Sequence, residues 1–107
     1  MTTTTVTTTD DVMTLVNVFT VDPAHQQELI DILTAAADVM IQLPGFVSAN
    51  VHRGDDGRRV VNYVQWRSED DFEAMKRDPR AVPHMQHAAE LARYDPIVCR
   101  VVDVRHV

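Results

Sequence analysis

From Thr14 to Val21 the chain reads TLVNVFTV, a run of β-branched and aromatic residues that predicts a strand. Asp22-Pro23 follows, an N-cap residue with proline at the first helical position. Apolar residues then recur at Leu29, Ile32, Leu33, Ala36, Met40 and Leu43, which is one stripe of a helix. Pro44-Gly45 stops it. Residues 46–53 (FVSANVHR) alternate as a second strand, Gly54-Asp55-Asp56-Gly57 turns the chain, and residues 59–66 form a third strand, so the pair is a hairpin. Ser68 caps the next helix, with Asp71 three residues on and Phe72 and Met75 as its apolar side. Asp78-Pro79 breaks that helix and begins another carrying Val82, Met85, Ala88, Ala89 and Ala92. Tyr94-Asp95-Pro96 is expected to end it, and residues 97–104 (IVCRVVDV) to form the fourth strand.

The order β-α-β-β-α-β is the ferredoxin-like α+β pattern. Two right-handed crossovers place the helices on one face of the sheet, with strands one and three side by side in the centre. The opposite face is also rich in apolar residues, since strand three (Val60-Val61-Asn62-Tyr63-Val64-Gln65-Trp66) is bulky on both sides. A second copy stacking on that face, to give a homodimer, is the simplest cover. The threonine-rich residues 1–12 have neither the basic start nor the apolar core of a signal peptide. They are expected to be a disordered tail with no part in the fold, leaving residues 13–107 as the domain.

A length of 107 residues suits one domain. The formal charge of −6 argues against nucleic acid as a partner. No stretch approaches the roughly 20 apolar residues of a membrane helix, so no membrane partner is expected. Cys99 is the single cysteine, which rules out an internal disulfide, and the expected location is the cytoplasm. There is no glycine-rich dinucleotide loop.

Asparagine is disfavoured in strand centres, yet Asn17 and Asn62 stand mid-strand in the two central strands. Asn62 and Trp66, four residues apart, point the same way. With matched registers, two amides and an indole N–H converge beneath the helices. Each amide alone reads as structural glue; the three together read as neutral donors facing a cavity. His52, if it faced that cavity, and His84, at the start of the last helix, are the candidate bases, each with a surface position as the ordinary alternative. His84, His87 and Glu90 have a spacing that could hold a metal, although a solvated helix face is the better reading, and no metal is expected. The arginines are scattered and read as surface charge; Met40, Met75 and Met85 sit at core spacing and are expected, with Phe19 and Phe72, to line the pocket.

The stretches Val16–Val21, Leu43–Val47, Val61–Trp66 and Pro83-His84 resemble the antibiotic biosynthesis monooxygenases, in particular the anthrone oxygenases of aromatic polyketide pathways. The resemblance spans about residues 14 to 105 and implies a dimeric α+β barrel. It implies catalysis by Asn17, Asn62 and Trp66, and oxidation of an anthrone-type aromatic polyketide to a quinone by O₂ with no flavin, haem or metal. A haem-degrading relative is the alternative enzyme, through Asn17 and His84, but the helical tryptophan of that group is Met75 here. A barrel that binds an aromatic without catalysis, or a cyclase using His52 or His84 as base, are the remaining alternatives.

Overall fold

The structure, a computed structural model, describes residues 2–9 and 11–107. Strand β1 is Met13–Val21. The Asp22 carboxylate accepts from the backbone N–H of Ala24 at 2.9 Å and opens a 3-10 turn, Pro23–His25, ahead of helix α1, Gln26–Met40. The chain reverses through Gly45 at φ +80°, where a Cβ would run into the Asp71 carboxylate, so glycine is required on both counts. Strands β2, Phe46–Arg53, and β3, Arg59–Trp66, form the expected hairpin. Asp56 holds its turn by accepting from the N–H groups of Arg58 and Arg59, each at 3.0 Å, and from Arg59 Nε at 2.6 Å.

Helix α2, Glu69–Arg77, begins at Ser68, whose Oγ accepts from Asp71 N at 3.1 Å and donates to Asp71 Oδ2 at 2.9 Å. Helix α3 is Val82–Leu91, and strand β4, Ala92–Cys99, starts directly after it. β4 therefore begins five residues earlier than the apolar run 97–104 suggests. Tyr94-Asp95-Pro96 lies within the strand rather than ending the helix. β4 is an edge strand, where a proline's missing N–H can face away from the ladder.

The sheet is wholly antiparallel in the order β2-β3-β1-β4, with β1 and β3 in the centre as expected. Met13, Leu15, Asn17, Phe19 and Val21 of β1 face the helices, opposite Trp66, Val64, Asn62 and Val60 of β3. All these apolar side chains are buried. Among the described residues no helix is long and apolar enough to cross a membrane.

The reverse face is less apolar than the sequence pattern implies. Gln65, 3 % exposed, accepts from Ser48 Oγ at 2.6 Å and from Thr4 Oγ1 at 2.9 Å, and donates to the Thr5 carbonyl at 2.9 Å. Thr4 and Thr5, both exposed, thus reach the sheet through hydrogen bonds to Gln65; Met1 and Asp10, also in the expected tail, lie outside the described residues. Val16, Val18, Val61, Tyr63 and Ile97 form an apolar strip on this face that is only partly covered, with Asn50 and His52 of β2 and Asp95 of β4 beside it.

Ser68→Ala should cost about 1 kcal/mol in urea denaturation, with Ser68→Thr, which keeps the hydroxyl, recovering most of it, because the cap satisfies an otherwise orphaned helical N–H. Acid should weaken the fold through Asp56 and Asp78. The Arg58 N–H and Arg59 side chain hold the Asp56 carboxyl below its ordinary value of 3.8, and the Arg80 side chain and N–H do the same for Asp78. A carboxyl lowered in the folded state stabilises above its unfolded pKa, and that contribution is lost as pH falls through the folded value. The urea midpoint of an Asp56→Asn, Asp78→Asn variant should accordingly fall less steeply below about pH 4 than that of the parent. Parallel slopes would show that neither carboxylate contributes.

Candidate active site

The register that buries the core also interrupts it. Leu15 pairs with Val64, then Asn17 with Asn62, then Phe19 with Val60. On one side of the asparagine row the core gathers Met13, Leu15, Val64, Trp66, Phe72 and Met75; on the other it gathers Phe19, Leu29, Leu33, Val60 and Ala88. A cavity of about 410 Å³ opens between the two, a volume suited to a small organic ligand. Its floor is the asparagine row. Ala36 and Ala37 of α1 and Ala88 of α3 line its helical side, and small side chains there leave the volume open.

Three polar atoms give the cavity its chemistry. Asn17 Oδ1, Asn62 Oδ1 and Trp66 Nε1 are buried and have no hydrogen-bond partner. Leaving such an atom unpaired costs roughly 1–3 kcal/mol. The fold satisfies its other buried amides: Gln26 donates to the carbonyls of Gly54 at 3.0 Å and Arg59 at 3.1 Å, and Gln65 has the partners described above. The unpaired groups are thus concentrated on the cavity, with Thr14 Oγ1 on the reverse face as the further case among the described residues. With the Asn17 and Asn62 NH₂ groups as donors beside the indole N–H, the trio can donate several hydrogen bonds to one oxygen without carrying a charge.

Trp66 is fully buried and fixed by aromatic neighbours: Phe46 meets it edge-on with ring centroids 5.4 Å apart, and Phe72 lies at 6.5 Å with a 51° tilt. Phe19, Met40, Phe72, Met75 and Met85, read from the sequence as pocket residues, all line the cavity. So does His84, at the start of α3. His52 does not. It pairs with Val61, one residue out of phase with Asn62, so its side chain points to the reverse face, where it is exposed and its Nδ1 lies 3.1 Å from the Asn50 carbonyl. The idea of His52 as a base acting in this cavity is therefore withdrawn. His87 and Glu90 are exposed, and among the described residues no group of three metal-ligating side chains comes together.

Two parts of the wall escaped the sequence reading. Tyr94, Pro96 and Val98 of β4 form one flank, hidden by the misplaced strand start; the alternation Tyr94-x-Pro96-x-Val98 was the available signal. Glu73 and Lys76 of α2 also line the cavity. Lys76 stands one turn beyond Phe72, which marks it as a neighbour of the pocket-facing stripe.

Residues 12–91 match the family of antibiotic biosynthesis monooxygenases. Tetracenomycin-F1 monooxygenase of Streptomyces glaucescens is 51% identical over 92 residues, which span 85% of this chain and 82% of that protein. Among solved structures, SnoaB, a cofactor-independent oxygenase from Streptomyces nogalater, superposes with a TM-score of 0.79 at 27% identity over 88% of this chain and 96% of its own. The monooxygenase from the gene ActVA-Orf6 of Streptomyces coelicolor, solved with the ligand nanaomycin D, gives 0.72 at 29% identity over 88% of this chain and 92% of its own. With this fold, this cavity and a family match over most of its length, the chain belongs to the antibiotic biosynthesis monooxygenase family and is an enzyme.

Proposed function

We propose that the chain is a cofactor-independent monooxygenase that oxidises an anthrone-type polycyclic aromatic polyketide to a quinone with O₂. The observation that carries the proposal is the set of unpaired Asn17, Asn62 and Trp66 polar atoms on an otherwise largely apolar cavity. A relative named tetracenomycin-F1 monooxygenase and a structural neighbour described as cofactor-independent support the same reading.

The chemistry needs little from the protein beyond placement. The methylene of an anthrone is acidic for a carbon acid, and the resulting enolate is electron-rich. It passes one electron to O₂; the carbon radical and superoxide then join to form a C–O bond. Protonation gives a hydroperoxide. Loss of the second methylene proton breaks the O–O bond, leaves a carbonyl and releases water. One oxygen atom stays in the quinone and the other leaves as water, so the substrate itself supplies all the electrons and no external reductant is consumed.

In this scheme Asn17, Asn62 and Trp66 donate hydrogen bonds to the enolate oxygen, where charge develops. Phe72, Phe19 and the methionines hold the flat ring system. His84 is the base we assign, being the histidine that lines the cavity. The partly covered valines, Tyr63 and Ile97 of the reverse face support a homodimer, and a single free cysteine suits a cytoplasmic enzyme.

Purified, metal-free protein should consume one O₂ per anthrone without releasing hydrogen peroxide. Trp66→Phe, which keeps the ring and removes the donor, and Asn62→Ala should each lower the rate by about 10²-fold. Rates unchanged in both variants would dismiss the proposed site. Stability should move in the opposite sense: Asn17→Leu with Asn62→Leu removes two orphaned polar atoms from a roomy apolar wall, and should raise stability by about 1–2 kcal/mol in urea while abolishing oxygen uptake. A destabilised double variant would show that the asparagines hold the sheet together instead.

A further inference from the structure

Lys76 is the single lysine of the chain, and among the described residues it is the one formally cationic side chain in the cavity wall. The nine arginines all lie elsewhere. Its Nζ sits 5.0 Å above the centroid of Phe72, itself part of the same wall, and 2.9 Å from Glu73 Oε2. An ammonium has three N–H donors. Glu73 occupies one, and the Phe72 face satisfies part of the charge without taking a hydrogen bond in the ordinary sense. Donor capacity therefore remains at the cavity rim.

The geometry points to Lys76 as the residue that selects a substrate bearing a carboxylate on the ring system. This deepens the oxygenase reading and rests on it: the asparagine row and Trp66 take the oxygen of the reacting ring, and Lys76 takes an acidic group carried elsewhere on the same flat molecule. A protein with a formal charge of −6 repels anions overall, so an anionic substrate needs a local cation at the point of entry. A carboxylate here meets an ammonium already placed by Glu73 and Phe72, so little side-chain freedom is lost on binding. A substrate with no acidic group gains nothing from Lys76 and leaves the ion pair as it stands.

Trp66 is the single tryptophan and lies in the cavity wall, so its fluorescence reports occupancy independently of turnover. Titration with anthraquinone-2-carboxylate and with its neutral carboxamide should show about tenfold tighter binding of the acid, an advantage that shrinks as salt is raised. Lys76→Met should erase that preference while leaving the carboxamide affinity unchanged, and Lys76→Arg should retain most of it. In turnover, Lys76→Met should raise KM about tenfold for a carboxylated anthrone and keep its kcat, a rise several-fold larger than the one it causes for an unsubstituted anthrone. Equal affinities in the parent protein, no quenching by either ligand, or a Lys76→Met variant that weakens both ligands alike would overturn the assignment. A preference for the acid without oxygen uptake from any anthrone would instead uphold Lys76 and remove the oxygenase reading.

Discussion

Asn17 and Asn62 face each other across the two central strands, and the organisation of the interior follows from that pairing. The register cannot slip to relieve it, because a shift of one residue would turn Leu15, Phe19, Val60 and Val64 out of the core. Burial of those four thus holds two amides in a place where no protein group satisfies them. The apolar clusters on either side stabilise the sheet; the asparagine row between them divides the core and leaves a cavity. The apolar rows of these two strands thus stabilise the sheet, and the asparagine row between them lines the cavity.

The cavity couples rigid placement to neutral chemistry. Its donors stand on central strands and are backed by packed aromatics, so they need not reorganise as charge forms on a bound oxygen. Being uncharged, they do not carry the desolvation cost of an ion in an apolar wall. Among the described residues of the wall, the formally charged side chains are Glu73 and Lys76 on α2, and both remain partly solvated. The deep end suits an oxygen that gains charge during reaction, and the rim suits a group that is charged throughout.

Much of this was legible in the sequence. Alternation in residues 46–53 and 59–66 around a glycine-bounded turn specified the hairpin, and the β-α-β-β-α-β order then placed strands one and three together. From there, two asparagines in the wrong kind of position and a tryptophan in phase with one of them pointed to residues that line the cavity. Period-two reading failed at β4, because Tyr94-Asp95-Pro96 has the composition of a turn and only the tertiary position on a sheet edge makes it a strand. It also failed to orient His52: the irregular pairing between Phe46 and Ser48 and the match of His52 with Val61 are facts of register, invisible before the partner strand is known. The contact of Thr4 and Thr5 with Gln65 is likewise long-range, and a run of threonines carries no local signal for it.

The central claim is that the asparagine row and Trp66 stabilise an enolate. The most direct measurement is the absorption spectrum of an anthrone bound to the protein without oxygen, followed across pH. Enolate bands appearing at lower pH than for the free anthrone, and retreating toward the free value in Asn62→Ala and Trp66→Phe, are the predicted result. An anthrone that binds the parent protein in its neutral keto form over the same range, with no difference between parent and variants, would contradict it.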